Sequence, residues 1–186
     1  EGEETFHELA GYYIERKPET LSEIRGVAFR DENKDRNIVH TGWRELMDLS
    51  KVPFAYSNLT EFKNRIIYYE SSRGCPFSCS YCLSSIDKKL RFRDIELVKK
   101  ELQFFIDNKV PQVKFVDRTF NCKHDHAMEI WRYITEHDNG ITNFHFEISA
   151  DLLRAEELAL MKTMRPGLIQ LEIGVQSTNP QTIKAI

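Results

Sequence analysis

The stretch "RIIYYESSRGCPFSCSYCLSS", residues 65–85, runs from a β-branched and aromatic segment directly into a loop that holds Cys75, Cys79 and Cys82. A strand that ends in a loop of ligand-type side chains is how a parallel α/β sheet presents its chemistry. The downstream segments decide whether such a sheet forms. "DIELVKKELQFFIDN" puts Ile95, Val98, Leu102, Phe105 and Ile106 on one helical face, and "VPQVKFVD" is strand-like. "HDHAMEIWRYITEHDNG" carries Ala127, Ile130, Trp131 and Ile134 at helical spacing, with Gly140 as its stop. "ITNFHFEIS" is a strand, "DLLRAEELALMKTM" a helix whose cap is expected at Asp151, and "GLIQLEIGVQS" another strand. In "QSTNPQTIKAI", Asn179 caps a last helix that Pro180 begins. The alternation, with short connections, predicts right-handed crossovers and a parallel (β/α) half-barrel of α/β class, a truncated part of a TIM-like barrel.

Three thiols at C-x3-C-x2-C on one loop can converge on one metal centre. A structural zinc site wants four protein ligands; Cys122, the remaining cysteine, lies after the second strand, beyond the spacing of a zinc ribbon. An iron–sulfur cluster held by three cysteines leaves one iron open. Both readings stand on spacing alone, as does a set of buried thiols. Composition narrows the rest. The chain has 26 basic and 29 acidic residues, a net charge of -3, so no broad basic field points to nucleic acid. No apolar run is long enough for a membrane span and no signal peptide is evident. A cytoplasmic location, where thiols stay reduced, is expected.

The third and fourth strands carry a second argument. In residues 142–149, Thr142, Phe144, Phe146 and Ile148 alternate with Asn143, His145, Glu147 and Ser149; in 169–176, Ile169, Leu171, Ile173 and Val175 alternate with Gln170, Glu172, Gly174 and Gln176. Strands covered by helices on both faces read as continuous apolar runs, and these do not. The polar face should therefore line a barrel interior. Glu147, Glu172 and Gln176 are candidates to meet a hydroxyl-rich, cationic ligand there, unless an open, wet interior makes carboxylates cheap. His145 is expected to be a hydrogen-bonded lining residue, His124 and His126 solvated residues near a helix start, and Gly174 a point of close backbone approach.

C-x3-C-x2-C after the first strand of a βα repeat, with the aromatic Tyr81 before the last cysteine, resembles the radical S-adenosylmethionine superfamily. "GVQS" at the end of the fourth strand is similar to that family too. "EGEETF" at the start, with "FVDRTFN" and "EIGVQSTNP", resembles the subgroup with an upstream cobalamin-binding domain. The resemblance implies an enzyme in which Cys75, Cys79 and Cys82 hold a 4Fe–4S cluster whose open iron chelates S-adenosylmethionine. One electron from a low-potential donor would then yield a 5′-deoxyadenosyl radical that abstracts hydrogen from a substrate the sequence does not name. Tyr81, Glu147, Glu172 and Gln176 become cofactor-binding candidates. "VDRTFN" stands where the family often has a glycine-rich amine-binding motif, so Asp117 becomes the candidate for the methionine amine. A D-x-H-x-x-G loop for cobalamin is absent, so cobalamin is expected only in a full-length protein. A non-catalytic zinc or iron–sulfur module is the alternative. Methylthio transfer to transfer RNA has little support without a second cysteine trio.

Residues 1–58 hold a helix with Phe6, Leu9, Ala10, Tyr13 and Ile14 on one face, ended by Pro18. "IRGVAFR" and "NIVHTGW" flank "DENKDR" as a hairpin, and a meandering connector comes next. The chain reads as an internal piece of a longer protein. Residues 1–58 would be the remnant of an upstream domain plus linker, and 59–186 the amino-terminal half of a radical domain. A sheet that ends at its fourth strand is expected to self-associate through that edge.

Overall fold

The computed structural model describes residues 2–16, 20–31, 36–63, 65–83 and 88–185. Two compact units divide the chain, Glu1–Val52 and Pro53–Ile186. The first contains helix α1 (Glu3–Glu15) and the antiparallel pair β1 (Ala28–Arg30) and β2 (Ile38–His40). The expected hairpin is there; its tip, residues 32–35, and the expected helix stop at Pro18 lie outside the described residues. Arg44 ties this unit together: its Nε donates to Thr5 Oγ1 at 2.9 Å, and its guanidinium pairs with Glu4 and Glu8. The apolar face of α1 is left open, since none of its residues is buried.

The second unit is built on four parallel strands in the order β3 (Ile67–Tyr69), β6 (Gln112–Phe115), β7 (Asn143–Ile148) and β8 (Ile169–Ile173). Sequential strands lie side by side because each connection crosses one face with a helix: α2 (Ile95–Asp107), α3 (His124–Glu136) and α4 (Ala155–Met161). This is the mixed α/β architecture with a parallel sheet that the alternation predicts. Asp94 starts α2 by accepting from Leu97 N at 3.0 Å. Its apolar face, with Val98, Leu102, Phe105 and Ile106, is buried against the sheet, as are Ala127, Ile130, Trp131 and Ile134 of α3. An aromatic cluster fills the centre, with Phe146 4.5 Å from Phe115 and 4.3 Å from Phe120 between ring centroids. Full burial of each such ring contributes roughly 2 kcal/mol.

The core occupies one face of the sheet, and the other carries the polar residues. Phe144, Phe146 and Ile148 are buried, and Ile169 and Leu171 pack on the same core. Glu147 and Glu172 sit side by side in register on the opposite face. One expectation changes. Asp151 does not cap α4: a short 3-10 turn, Ala150–Leu152, intervenes, and the helix starts at Ala155, with Arg154 N donating to Glu157 Oε2 at 2.8 Å. Asp151 instead accepts from Ser149 Oγ at 2.6 Å. A further pair of strands, β4 (Ser72–Arg73) and β5 (Arg91–Phe92), forms a small antiparallel sheet of its own. Helix α5 (Pro180–Ala185) is capped by Asn179 Oδ1, which accepts from Gln181 N at 2.8 Å. Among the described residues no helix is long and apolar enough to cross a membrane.

Candidate functional site

The cysteine loop leaves the C-terminal end of β3 and is closed at its base. Ser72 pairs with Phe92 and Arg73 with Arg91, so β4 and β5 form a neck below the thiols. Gly74 is the first residue past that neck. Its φ of +94 is one that side chains rarely adopt, and a Cβ there would sit 2.6 Å from Lys89 O across the neck. Only glycine lets the two backbones pass this closely.

A buried carboxylate grips each side of the neck. On the β4 side, Asp117 accepts from Ser71 N at 3.0 Å, Ser71 Oγ at 2.7 Å and Ser72 Oγ at 2.6 Å. Ser71 gives its hydroxyl proton to Asp117, so His126 Nε2, 3.1 Å from Ser71 Oγ, is the donor in that contact. Burial pushes the Asp117 carboxyl up to about 6 against the pull of its donors, and pushes His126 down to about 4. On the β5 side, Glu101 of α2 accepts from Arg93 Nε at 2.8 Å, Arg93 Nη2 at 2.5 Å and Tyr69 Oη at 2.6 Å. Arg93 N donates to Ser71 O at 2.8 Å and so links the two sides. Buried carboxylates this well supplied with donors fix geometry, because losing one donor strands a charge.

The segment after β6 does several jobs in successive residues. Asp117 holds the neck. Thr119 Oγ1 lies 3.8 Å from Cys75 Sγ. Phe120 enters the core. Asn121 clasps the end of β7, donating from Nδ2 to Ser149 O at 2.8 Å and accepting from Ser149 N at 3.0 Å. Two expectations are corrected here. Asp117 does not face a ligand: it is 1% exposed and turned toward Ser71 and Ser72. His126 is not solvated but buried against Ser71 and the Phe92 ring, and His124 pairs with Glu156 at 2.6 Å and Glu157 at 2.9 Å.

Beside the loop lies a cavity of about 580 Å³ bordered by Cys75, Cys79, Cys82, Tyr81, Glu147, Glu172, Gly174 and Gln176. The structure thus gathers the three cysteines and four of the five cofactor candidates around one space, and leaves Asp117 out. Tyr81 stands on its rim, 58% exposed. Gln176 adopts a φ of 55, and its side chain folds over Gly174, where an added methyl would meet the amide. That space is filled by Gln176 itself. Lys114 donates to Glu172 Oε2 at 3.0 Å and lies 3.5 Å from Glu147 Oε1. The hydrogen bond from Lys114, with its charge, holds Glu172 below the usual carboxylate range. His145 Nε2 is 3.1 Å from the same Glu172 oxygen, without the alignment of a hydrogen bond. A second cavity of about 540 Å³ adjoins the polar face, bordered by Tyr68, Glu70, Arg73, Lys114, Arg118 and Glu147. There Arg73 and Glu70 form a two-pronged pair at 2.9 and 2.7 Å.

The donor set fits an iron–sulfur cluster. Cys75, Cys79 and Cys82, none of them in a disulfide, border one wall and are soft ligands of the kind such clusters take. Among the described residues, no three His, Cys, Asp or Glu side chains are gathered closely enough to hold a single metal ion. Cys122 is in no disulfide either, and its thiol is pushed up to about 11 by burial and by the charge of Cys75, which disfavours the thiolate a ligand must be. Residues 84–85 of the cysteine motif lie outside the described residues.

A family model described as the radical SAM superfamily matches residues 69–186. A protein of Pyrococcus horikoshii named an uncharacterized methyltransferase is 25% identical over 193 residues, covering 100% of this chain and 41% of that protein. The bacteriochlorophyllide d C-12(1)-methyltransferase of Chlorobaculum tepidum is 27% identical over 128 residues, 66% of this chain and 27% of that protein. The radical S-adenosylmethionine methyltransferase TsrM of Kitasatospora setae, solved with cobalamin and a 4Fe–4S cluster, superposes with a TM-score of 0.71 at 18% identity. A second TsrM structure, with tryptophan and an S-adenosylmethionine analogue, gives 0.70. Each covers 97% of this chain and 37% of TsrM, a likeness of fold. The chain spans about two fifths of the length of its Pyrococcus relative and of TsrM.

Proposed function

This chain belongs to the radical S-adenosylmethionine superfamily, and on that premise we propose that Cys75, Cys79 and Cys82 hold a 4Fe–4S cluster with S-adenosylmethionine in the cavity beside it. The observation that carries this reading is the meeting of three cysteines with Tyr81, Glu147, Glu172 and Gln176 around one cavity at the C-terminal ends of parallel strands. When bound, the two cofactors supply one-electron cleavage of a carbon–sulfur bond, with the electron coming from a low-potential donor. The chain's own residues bind and orient. Glu172, kept ionised by Lys114, is suited to a cation or to ribose hydroxyls. Gln176 offers an amide from a fixed backbone turn, and Tyr81 an aromatic face at the rim. The neck carboxylates Asp117 and Glu101 keep the thiols in place.

Hydrogen abstraction from a substrate is the reaction the cofactor pair suits. Methyl transfer is the second reading, favoured by the Pyrococcus and Chlorobaculum relatives and TsrM, which are all named methyltransferases. Anaerobic reconstitution followed by incubation with S-adenosylmethionine and a reductant tests both. Roughly four irons per chain with 5′-deoxyadenosine as product would support hydrogen abstraction, and S-adenosylhomocysteine would support methyl transfer. One colourless zinc per chain would sink both in favour of a non-catalytic module. We assign no cobalamin to these residues, which carry no D-x-H-x-x-G loop; a longer protein would have to supply that site. Within such a protein we read residues 1–58 as the end of an upstream domain plus linker and 59–186 as the first half of the radical domain.

The edge of β8 supports one more expectation. It is the last strand of the sheet, Ile173 is 43% exposed, and the segment has no proline to guard it. The 186-residue chain should therefore self-associate, with its weight-average mass in sedimentation equilibrium rising with concentration. A monomer at every concentration would overturn this.

A further inference from the structure

The segment Asp117–Asn121 leaves one side chain unassigned. Asp117 is spent on Ser71 and Ser72, Thr119 stands against Cys75, Phe120 is in the core, and Asn121 is spent on Ser149. Arg118 remains. It borders both the cofactor cavity and the second cavity, and among the described residues its guanidinium makes no hydrogen bond or ion pair. The other cations on these walls are neutralised: Arg73 by Glu70, and Lys114 by Glu172 and Glu147. Arg118, an exposed residue, is thus the cation on these walls that has no ion pair among the described residues, at the junction of two cavities.

From this placement we propose that Arg118 binds the carboxylate of a ligand with an amino-acid end. The inference rests on the cofactor reading above and deepens it. A guanidinium presents parallel N–H donors that match a carboxylate in two-pronged fashion. Asp117 and Asn121 pin the backbone on either side of Arg118, so little main-chain freedom is lost when a ligand engages it. The carboxylate of Glu147 also borders both cavities. Its charge disfavours a dianion such as a phosphate and favours a ligand that carries an ammonium beside its carboxylate. Two ligands have that chemistry: the methionine end of S-adenosylmethionine, and an amino-acid substrate.

Matched pairs that differ only by the carboxylate separate the sources. Equilibrium binding is measured on the reconstituted protein and on Arg118→Gln and Arg118→Lys. The probes are S-adenosylmethionine against decarboxylated S-adenosylmethionine, then, with S-adenosylmethionine present, L-tryptophan against tryptamine. Arg118→Gln should weaken the carboxylate-bearing member of one pair about ten- to a hundredfold while leaving its partner unchanged. Arg118→Lys should restore part of the loss. Selective loss in the first pair assigns Arg118 to the cofactor, and selective loss in the second assigns it to the substrate. Equal loss for both members of each pair, or none, overturns the proposal. A wild-type protein that takes up iron but shows the same affinities as Arg118→Gln sinks this inference alone; one that takes up no iron sinks the cofactor reading beneath it.

Discussion

Replacing Cys75, Cys79 and Cys82 together by alanine should leave a protein that takes up no iron on anaerobic reconstitution, whereas Cys122→Ala should load as fully as the wild type. The contrast comes from placement. The three loop thiols share one cavity wall, and once they are gone no other trio of thiols exists to replace them. Cys122 ends the short turn Phe120–Cys122, in a setting that favours its protonated form. Iron and sulfide content with visible absorption near 400 nm reads the result, and far-UV circular dichroism shows that both variants fold. Loss of the cluster in Cys122→Ala alone would mean that the ligand set is wrong.

Gly74→Ala should be nearly as damaging to metal uptake, although it removes no ligand. The φ of +94 already costs a side chain about 1–3 kcal/mol. The heavier penalty is the backbone of Lys89, because the new methyl would press on a carbonyl oxygen and no side chain there can swing aside. The neck must then open, and β4 with β5 is too short to absorb the shift. Iron retention should fall toward that of the triple-cysteine variant, while helices α2 and α3, anchored in the core by their apolar faces, keep their circular dichroism. Full iron retention would show that the neck does not set the spacing of the thiols.

Much of this architecture is legible in the sequence because two periodicities are clean. The apolar residues of α2 and α3 recur every three or four positions, and those of β7 every second position; each pattern finds its core. The grouping of the cysteines with Glu147, Glu172 and Gln176 follows from strand alternation and from loops at the ends of parallel strands. The neck is not legible. Two-residue strands such as Arg91–Phe92 carry no period, and their pairing is fixed by contacts far away in sequence. Asp117 misleads for a related reason: a carboxylate just past a strand reads as a ligand contact, and nothing local announces that Ser71 and Ser72 will claim it. His126, next to Asp125 at a helix start, reads as solvated for want of the same information. A weak signal did exist for the clamp, since the adjacent hydroxyls of Ser71 and Ser72 just past a strand would need a buried acceptor. Arg118 and Asn121 had no such signal. The clasp of Asn121 on Ser149 and the role proposed for Arg118 emerge only once Asp117 is known to be occupied.

The neck also decides how far damage can spread. Oxygen destroys exposed iron–sulfur clusters, and a loop folded only by its metal would collapse with it and carry its flanking strands along. Here the ends of the loop are held by groups outside the cysteine trio: Asp117 and His126 on the β4 side, Glu101 through Arg93 on the β5 side. The entropy of bringing those ends together is met by the fold itself. If the loop holds the cluster as proposed, loss of the metal should leave the neck and the sheet beneath it whole. On that reading an emptied chain would keep the shape needed to be refilled, which would make it a repairable part.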